Sequence, residues 1–149
     1  MKSYLNMFII FFALAIAGCS AVGQMPPEMD MKAKEMGPLE GKALVYILRP
    51  ATFGTAIKME VTCDGINIGS TGGGRYIYSI LEPGSHVFIS KAENKSELPI
   101  ILEAGKVYYL EQKVKMWILK ARNNLERLDD QEGRDKLLKC KLSNDIKEK

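Results

Sequence analysis

Residues 57–69 read IKMEVTCDGINIG, and this stretch decides the fold. Ile57, Met59, Val61 and Cys63 fall on one face of an extended chain, and Lys58, Glu60 and Thr62 on the other. That alternation is the mark of a strand with one wet face. Asp64-Gly65 then supplies a hairpin turn, because both central positions tolerate φ > 0. Ile66 and Ile68 resume the alternation on the return strand, which reaches Gly69.

The same grammar extends outward. Ala43–Arg49 (ALVYILR) is apolar up to its terminal Arg49, stops at Pro50, and reads as a strand buried on both faces. Gly72-Gly73-Gly74 interrupts the chain before a strand at Arg75–Leu81. Glu82-Pro83-Gly84 has the Pro-then-Gly order of a type II turn and leads into a strand at Ser85–Lys91. Leu98–Leu102 and Val107–Val114 are further strands, separated by Ala104-Gly105-Lys106. Trp117–Leu128 suits either a strand or a helix. Residues 130–141 read as a helix, with Asp129 or Asp130 as N-cap and Leu137-Leu138 as its apolar contact. Gly133 weakens that helix by about 1 kcal/mol relative to Ala. Turn signals recurring roughly every 8–12 residues argue for a sandwich. The expected class is therefore mainly β: a small antiparallel β-sandwich of seven to eight strands over residues 42–149, with a short C-terminal helix.

The chain has 149 residues, a length for one domain. With 21 Lys+Arg against 18 Asp+Glu, the net charge of +3 lacks the concentrated basic face of a nucleic-acid binder. Apolar residues make up 46%, which excludes a disordered chain.

Residues 1–18 stand apart. Their one charged side chain is Lys2, and Tyr4–Ala17 is apolar except at Asn6. As a helix that run rises roughly 21 Å, short of the ~30 Å hydrocarbon core, so it reads as the apolar region of a signal peptide. Ile16-Ala17-Gly18-Cys19 resembles the lipobox of bacterial lipoproteins. The small side chains at 17 and 18 let the backbone enter a protease site, and the Cys19 thiol is the nucleophile that takes a diacylglycerol. The resemblance implies cleavage between Gly18 and Cys19, thioether lipidation of Cys19, and acylation of its new amine. Two or three acyl chains make a stable anchor. Ser20, by the sorting rule of such proteins, implies passage to the outer membrane. The expected location is the bacterial cell envelope, lipid-anchored at the periplasmic face of the outer membrane.

Residues 19–41 read as the lipidated Cys and a tether, with Gly23, Pro26, Pro27, Gly37 and Pro38. Fully extended, residues 20–42 reach roughly 75–80 Å. Pro26-Pro27 before EMDMKAKEM and Gly37-Pro38 after it are boundary signals for a short helix. Met29, Ala33 and Met36 share one face of it. Met25, Met29, Met31 and Met36 offer soft thioethers of the kind that suit Cu(I), but no Cys or His joins them. A Met-rich stripe that packs on the domain or the lipid surface is the simpler reading.

Several residue sets point to a family. Val61-Thr62-Cys63-Asp64-Gly65, Ile68-Gly69 and Leu81-Glu82-Pro83-Gly84-Ser85-His86-Val87 resemble the pattern of PEGA-type and transthyretin-like β-sandwich modules. VYILRP at 45–50, GGGRY at 72–76, EPGSH at 82–86, AENKSEL at 92–98 and AGKVYYLEQ at 104–112 resemble the bacterial lipoprotein family known as domain of unknown function 2846. That resemblance covers roughly residues 42–142. It implies a transthyretin-like fold and a non-enzymatic envelope role, and it carries no functional residues.

Other constellations bear on chemistry. Gly72–Gly74 lacks the G-x-x-x-x-G-K-[ST] order of a phosphate loop and reads as an inter-strand turn. His86 is the one histidine. Ser85 beside it points to the opposite strand face, so no catalytic set is assigned. No second nitrogen ligand exists for a His-based metal site, and no metal is assigned. Glu82 lies across the turn, and His86 is expected to pin the Pro-Gly turn. Cys63 and Cys140 form either a disulfide or two buried thiols. A bridge between them would close a loop of 77 residues, credited with roughly 4 kcal/mol in the chain-entropy model. Tyr46, Tyr76, Tyr78, Tyr108 and Tyr109 form either a binding strip or cross-strand packing. The basic residues Arg134, Lys136, Lys139, Lys141, Lys147 and Lys149 alternate with acids and suit a solvated helix face.

These features lead to one functional expectation: a membrane-anchored periplasmic lipoprotein whose sandwich is an interaction module. Its expected partners are the membrane, through the N-terminal lipid, and envelope proteins or cell-wall glycan, with no nucleic acid and no cofactor. The alternative is a small periplasmic enzyme or copper-handling factor using His86 or the Met25–Met36 cluster.

Overall fold

Strand β1 (Ala43–Arg49) is buried along its whole length, and its position explains the architecture. Ala43, Val45 and Ile47 face an inner core between two sheets; Leu44, Tyr46 and Leu48 face an outer core beneath two helices. A continuously apolar strand is what a middle layer requires. The computed structural model describes residues 25–51, 57–117 and 120–147. The expected signal peptide of residues 1–18, with Gly18 and Cys19, lies outside the described residues.

The remaining strands are β2 (Met59–Cys63), β3 (Ile66–Thr71), β4 (Arg75–Leu81), β5 (Gly84–Lys91), β6 (Lys95–Leu102), β7 (Val107–Trp117), β8 (Lys120–Leu128) and β9 (Lys141–Leu142). Helices α1 (Pro27–Glu35) and α2 (Asp130–Lys139) complete the described elements. One sheet has the order β8-β7-β1-β4-β9, the other β3-β2-β5-β6. The mainly β sandwich with a C-terminal helix is thus the observed class, with nine strands among the described residues where seven or eight were expected. Within Trp117–Leu128, the described residues Trp117 and Lys120–Leu128 are strand.

The larger sheet is mixed and not wholly antiparallel: β1 pairs parallel with β7, and β4 parallel with β9. The cause lies at Glu82-Pro83-Gly84. This segment is a corner that sends the chain from β4 into the other sheet, with Gly84 at φ 136°. After β5 and β6 the chain returns beside the start of β1. There the Leu44 N–H donates to Lys106 O (3.0 Å), and the Gly105 N–H donates to Lys42 O (2.8 Å). β7 therefore sets out in the same direction as β1. The β2–β3 hairpin turns at Asp64 (φ 51°) and Gly65 (φ 81°), as Asp-Gly requires.

Both seams between the sheets are closed. On one side, Asn94 and Asn123 exchange bonds, and the Leu125 N–H donates to Ser96 Oγ (2.8 Å). On the other, the tail after α2 pairs with both sheets: β9 lies on β4, and Ser70 and Lys147 N–H groups bond Asp145 O and Ile68 O. Gly69 (φ 137°) permits this approach, since a Cβ there would collide with Asp145 O. A buried polar chain also ties the sheets. Thr71 Oγ1 bonds Gln112, whose Nε2 donates to Ser90 Oγ (2.6 Å), and Ser90 Oγ donates to Asn123 Oδ1 (3.0 Å).

The segment expected to be tether is, over its described residues, part of the domain. Tyr46 Oη donates to Ala33 O, Tyr76 Oη to Asp30 O (3.2 Å), and Asp30 Oδ1 accepts from the Leu142 N–H (2.8 Å). Ala33 is buried, and Met25 and Met36 pack against the outer core. Met29 is not on the packed stripe as its spacing suggested; it and Met31 are 46% and 59% exposed. Helix α2 is capped by Asp129, which accepts from the Glu132 N–H (2.9 Å). Gly133, a helix-weakening residue in isolation, is where α2 meets the Tyr109 ring; a Cβ there would overlap the ring.

Candidate functional site

Among the described residues, the chemistry-bearing side chains converge at one end of the sandwich, where β2 turns into β3 and β4 corners into β5. Asp64 is placed there by the turn and locked in two ways. Its N–H donates to Val87 O (2.9 Å), and its Oδ1 accepts from the Val87 N–H (2.9 Å). The side chain thus continues the β2–β5 ladder past Cys63. Its Oδ2 lies 2.7 Å from His86 Nδ1. The Val87 N–H foremost, and His86 with it, hold the Asp64 carboxyl below its ordinary value of 3.8.

His86 shares the inward face of β5 with Phe88, at the end of the row. Its Nε2 lies 2.9 Å from Glu82 O. A carbonyl only accepts, so Nε2 carries the proton there. This is the pinned Pro-Gly corner anticipated from the sequence, with Glu82 contributing its backbone oxygen while its carboxylate pairs with Lys42. Asp64 is the partner the sequence did not reveal, because it lies 22 residues from His86.

Cys63 Sγ is 3.8 Å from His86 Nδ1 and 3.7 Å from Asp64 Oδ2. A nucleophilic relay needs the thiol at one ring nitrogen and the carboxylate at the other. Here both approach Nδ1, and the thiol is buried. Cys63 and Cys140 carry no bond to each other, the second of the two arrangements the sequence left open. Cys63 belongs to the inner core and Cys140 to the outer one, so the five-stranded sheet separates them. Burial pushes the Cys140 thiol up to about 11.

The tyrosines are packing groups. Tyr46 and Tyr109 stack at 5.5 Å and Tyr46 meets Tyr76 edge-on at 6.0 Å, all beneath the helices. Tyr108 faces the inner core. The strip is roofed by α1 and α2, so it does not present the open face that a glycan would require.

A second feature opens beside the exit of α1. A groove of ≈ 370 Å³ runs between Gly37-Pro38, the Gly105-Lys106 turn and α2. Lys106, Arg127 and Arg134 line it against one acid, Asp130. The Arg127 guanidinium sits 4.9 Å from the Tyr108 ring centre, which fixes its direction. Spaced cations of this kind suit carboxylates or phosphates.

A two-sheet sandwich with a helical cover, pinned at one end by an Asp–His pair, is the class this geometry defines. The family model described as protein of unknown function (DUF2846) matches residues 39–123, and the chain belongs to that family. An uncharacterized protein of Haemophilus influenzae is 28% identical over 137 residues, spanning 91% of this chain and 82% of the relative. No solved structure matches. Cys63, Asp64 and His86 lie within the matched span, whereas Arg127 and Arg134 lie beyond it.

Proposed function

We propose that this chain is a lipid-anchored envelope protein whose sandwich acts as a binding module and not as an enzyme. The observation that carries this reading is the sequence Ile16-Ala17-Gly18-Cys19 placed eight residues before Pro27, the first residue of a docked helix. Eight residues span at most about 28 Å. A lipid on Cys19 therefore keeps the domain close to its membrane leaflet, with the α1 end nearest. The wide reach of a long tether gives way to a short leash. The disposition of Cys63, Asp64 and His86 around a single ring nitrogen supports the non-enzymatic reading. The split of the methionines, two packed and two exposed, gives no support to a copper cluster.

The cationic groove beside α1 supports an acidic partner, either a carboxylate-bearing cell-wall glycan or an acidic envelope protein. Fractionation tests the anchor: the wild-type chain sediments with membranes, and Cys19→Ala moves it to the soluble periplasmic fraction or leaves it unprocessed. An unchanged membrane distribution with normal processing contradicts the anchor. Crosslinking in intact envelopes tests the module. Wild-type adducts should disappear in the doubly reversed Arg127→Glu/Arg134→Glu chain, provided it stays folded and anchored. Adducts that survive the reversal contradict an acidic partner in this groove.

A further inference from the structure

We propose that Cys63, Asp64 and His86 form a binding site for one divalent transition-metal ion of the zinc class. The three ligand atoms come from a strand end, a turn and a neighbouring strand, and they already surround one point. Sγ–Nδ1 is 3.8 Å, Sγ–Oδ2 3.7 Å and Nδ1–Oδ2 2.7 Å. Zinc bonds sulfur at about 2.3 Å and imidazole or carboxylate at about 2.0–2.2 Å, so tetrahedral ligands stand roughly 3.3–3.6 Å apart. Two of the three separations are within a few tenths of an ångström of this. The third needs Nδ1 and Oδ2 to part by about 0.6 Å, a hinge of one side chain against the other.

The surroundings fit the same role. A metal-binding imidazole usually donates its other N–H to an oxygen, which sets its tautomer and aim. His86 does so through Nε2 to Glu82 O (2.9 Å), leaving Nδ1 as the ligand atom. Asp64 likewise commits Oδ1 to the Val87 N–H and presents Oδ2. A 2.7 Å approach between Nδ1 and a carboxylate oxygen is a hydrogen bond, with one proton held between them. A metal ion would take the place of that proton. Binding then releases that proton together with the Cys63 thiol proton. The Asp64 side chain is 40% exposed, so a fourth position faces solvent and can take water. One thiolate, one imidazole and one carboxylate suit zinc or cobalt(II) better than magnesium or calcium. The site is independent of the lipid anchor and of the cationic groove.

The test uses the full-length chain in detergent as the Cys19→Ala/Cys140→Ser variant, which keeps Cys63 as its one thiol among three cysteines. Cobalt(II) titration should give one ion per chain with a thiolate-to-cobalt charge-transfer band in the near ultraviolet. Adding Cys63→Ser should abolish that band, and His86→Gln should weaken binding tenfold or more. Zinc absorption spectroscopy on the chain that retains Cys63 covers the case in which the further variants misfold. It should show one sulfur at about 2.3 Å beside nitrogen or oxygen neighbours. No stoichiometric binding, a cobalt spectrum without the thiolate band, or zinc with only nitrogen and oxygen neighbours overturns the proposal.

Discussion

At Asp64 one carboxylate satisfies a strand amide and an imidazole at once, so its loss exposes two partners. Asp64→Ala should lower stability by about 1–2 kcal/mol, read from the urea midpoint. The pH dependence has a defined sign. Asp64 and Asp30 are both held below the ordinary value of 3.8 in the folded chain. Burial acts most strongly on Asp30 and raises it, but bonds from Lys34 and the Leu142 amide outweigh that. The stability they contribute is complete above that value and is lost as pH falls through their folded pKa. Asp64→Asn/Asp30→Asn should therefore show a shallower loss of urea midpoint between neutral and acidic pH than the wild-type chain. An equal slope contradicts the assignment. Gly133 gives a contrary-looking prediction. Ala is the better helix former by about 1 kcal/mol, yet Gly133→Ala should destabilise by about 1–3 kcal/mol because its methyl meets Tyr109. A raised urea midpoint contradicts this packing.

Among the elements, α1 is held by few groups, and Asp30 is the one that reaches across the chain to β9. Asp30→Ala should raise amide hydrogen exchange in α1 and at Leu142 while leaving β1 and β7 protected. Uniform loss of protection contradicts a separable helix. The elements also show what the sequence made legible. The Asp64-Gly65 hairpin was readable because its turn residues and alternation agree locally. β1 was readable because the apolar run Ala43–Leu48, closed by Arg49 and Pro50, has the length and β-branched content of a strand buried on both faces. The docking of α1 was not, since a nine-residue helix between prolines looks the same whether it packs or floats. The parallel β1–β7 pair was hidden because strand direction depends on where the corner at Glu82-Pro83 sends the chain. The bonds of Asp145 and Lys147 to β3 left no mark in a polar tail. Part of the candidate site was readable: His86 and its Pro-Gly corner lie in one segment. Asp64 was legible as a turn residue and Cys63 as a core residue or bridge partner, and the β2–β5 pairing brings them to His86.

Over the whole molecule, the two ends of the functional reading meet at α1. The helix follows the lipobox-like Ile16–Cys19 closely in sequence, packs on the larger sheet, and leads into the cationic groove through Gly37-Pro38. Lipidation of Cys19, as proposed, would hold that groove within one short leash plus the length of α1 from the membrane. The separation of the two buried cysteines adds a thiol count. Alkylation of the denatured protein without reductant should label Cys63 and Cys140, while a lipidated Cys19 stays unlabelled. Protection of the Cys63–Cys140 pair contradicts the two-core arrangement. Mass spectrometry of the amino-terminal peptide from membranes tests the anchor most directly. The account predicts a chain beginning at Cys19 and carrying diacylglycerol and acyl masses. An intact residue 1–18 segment, or a mature chain with unmodified Cys19, contradicts it.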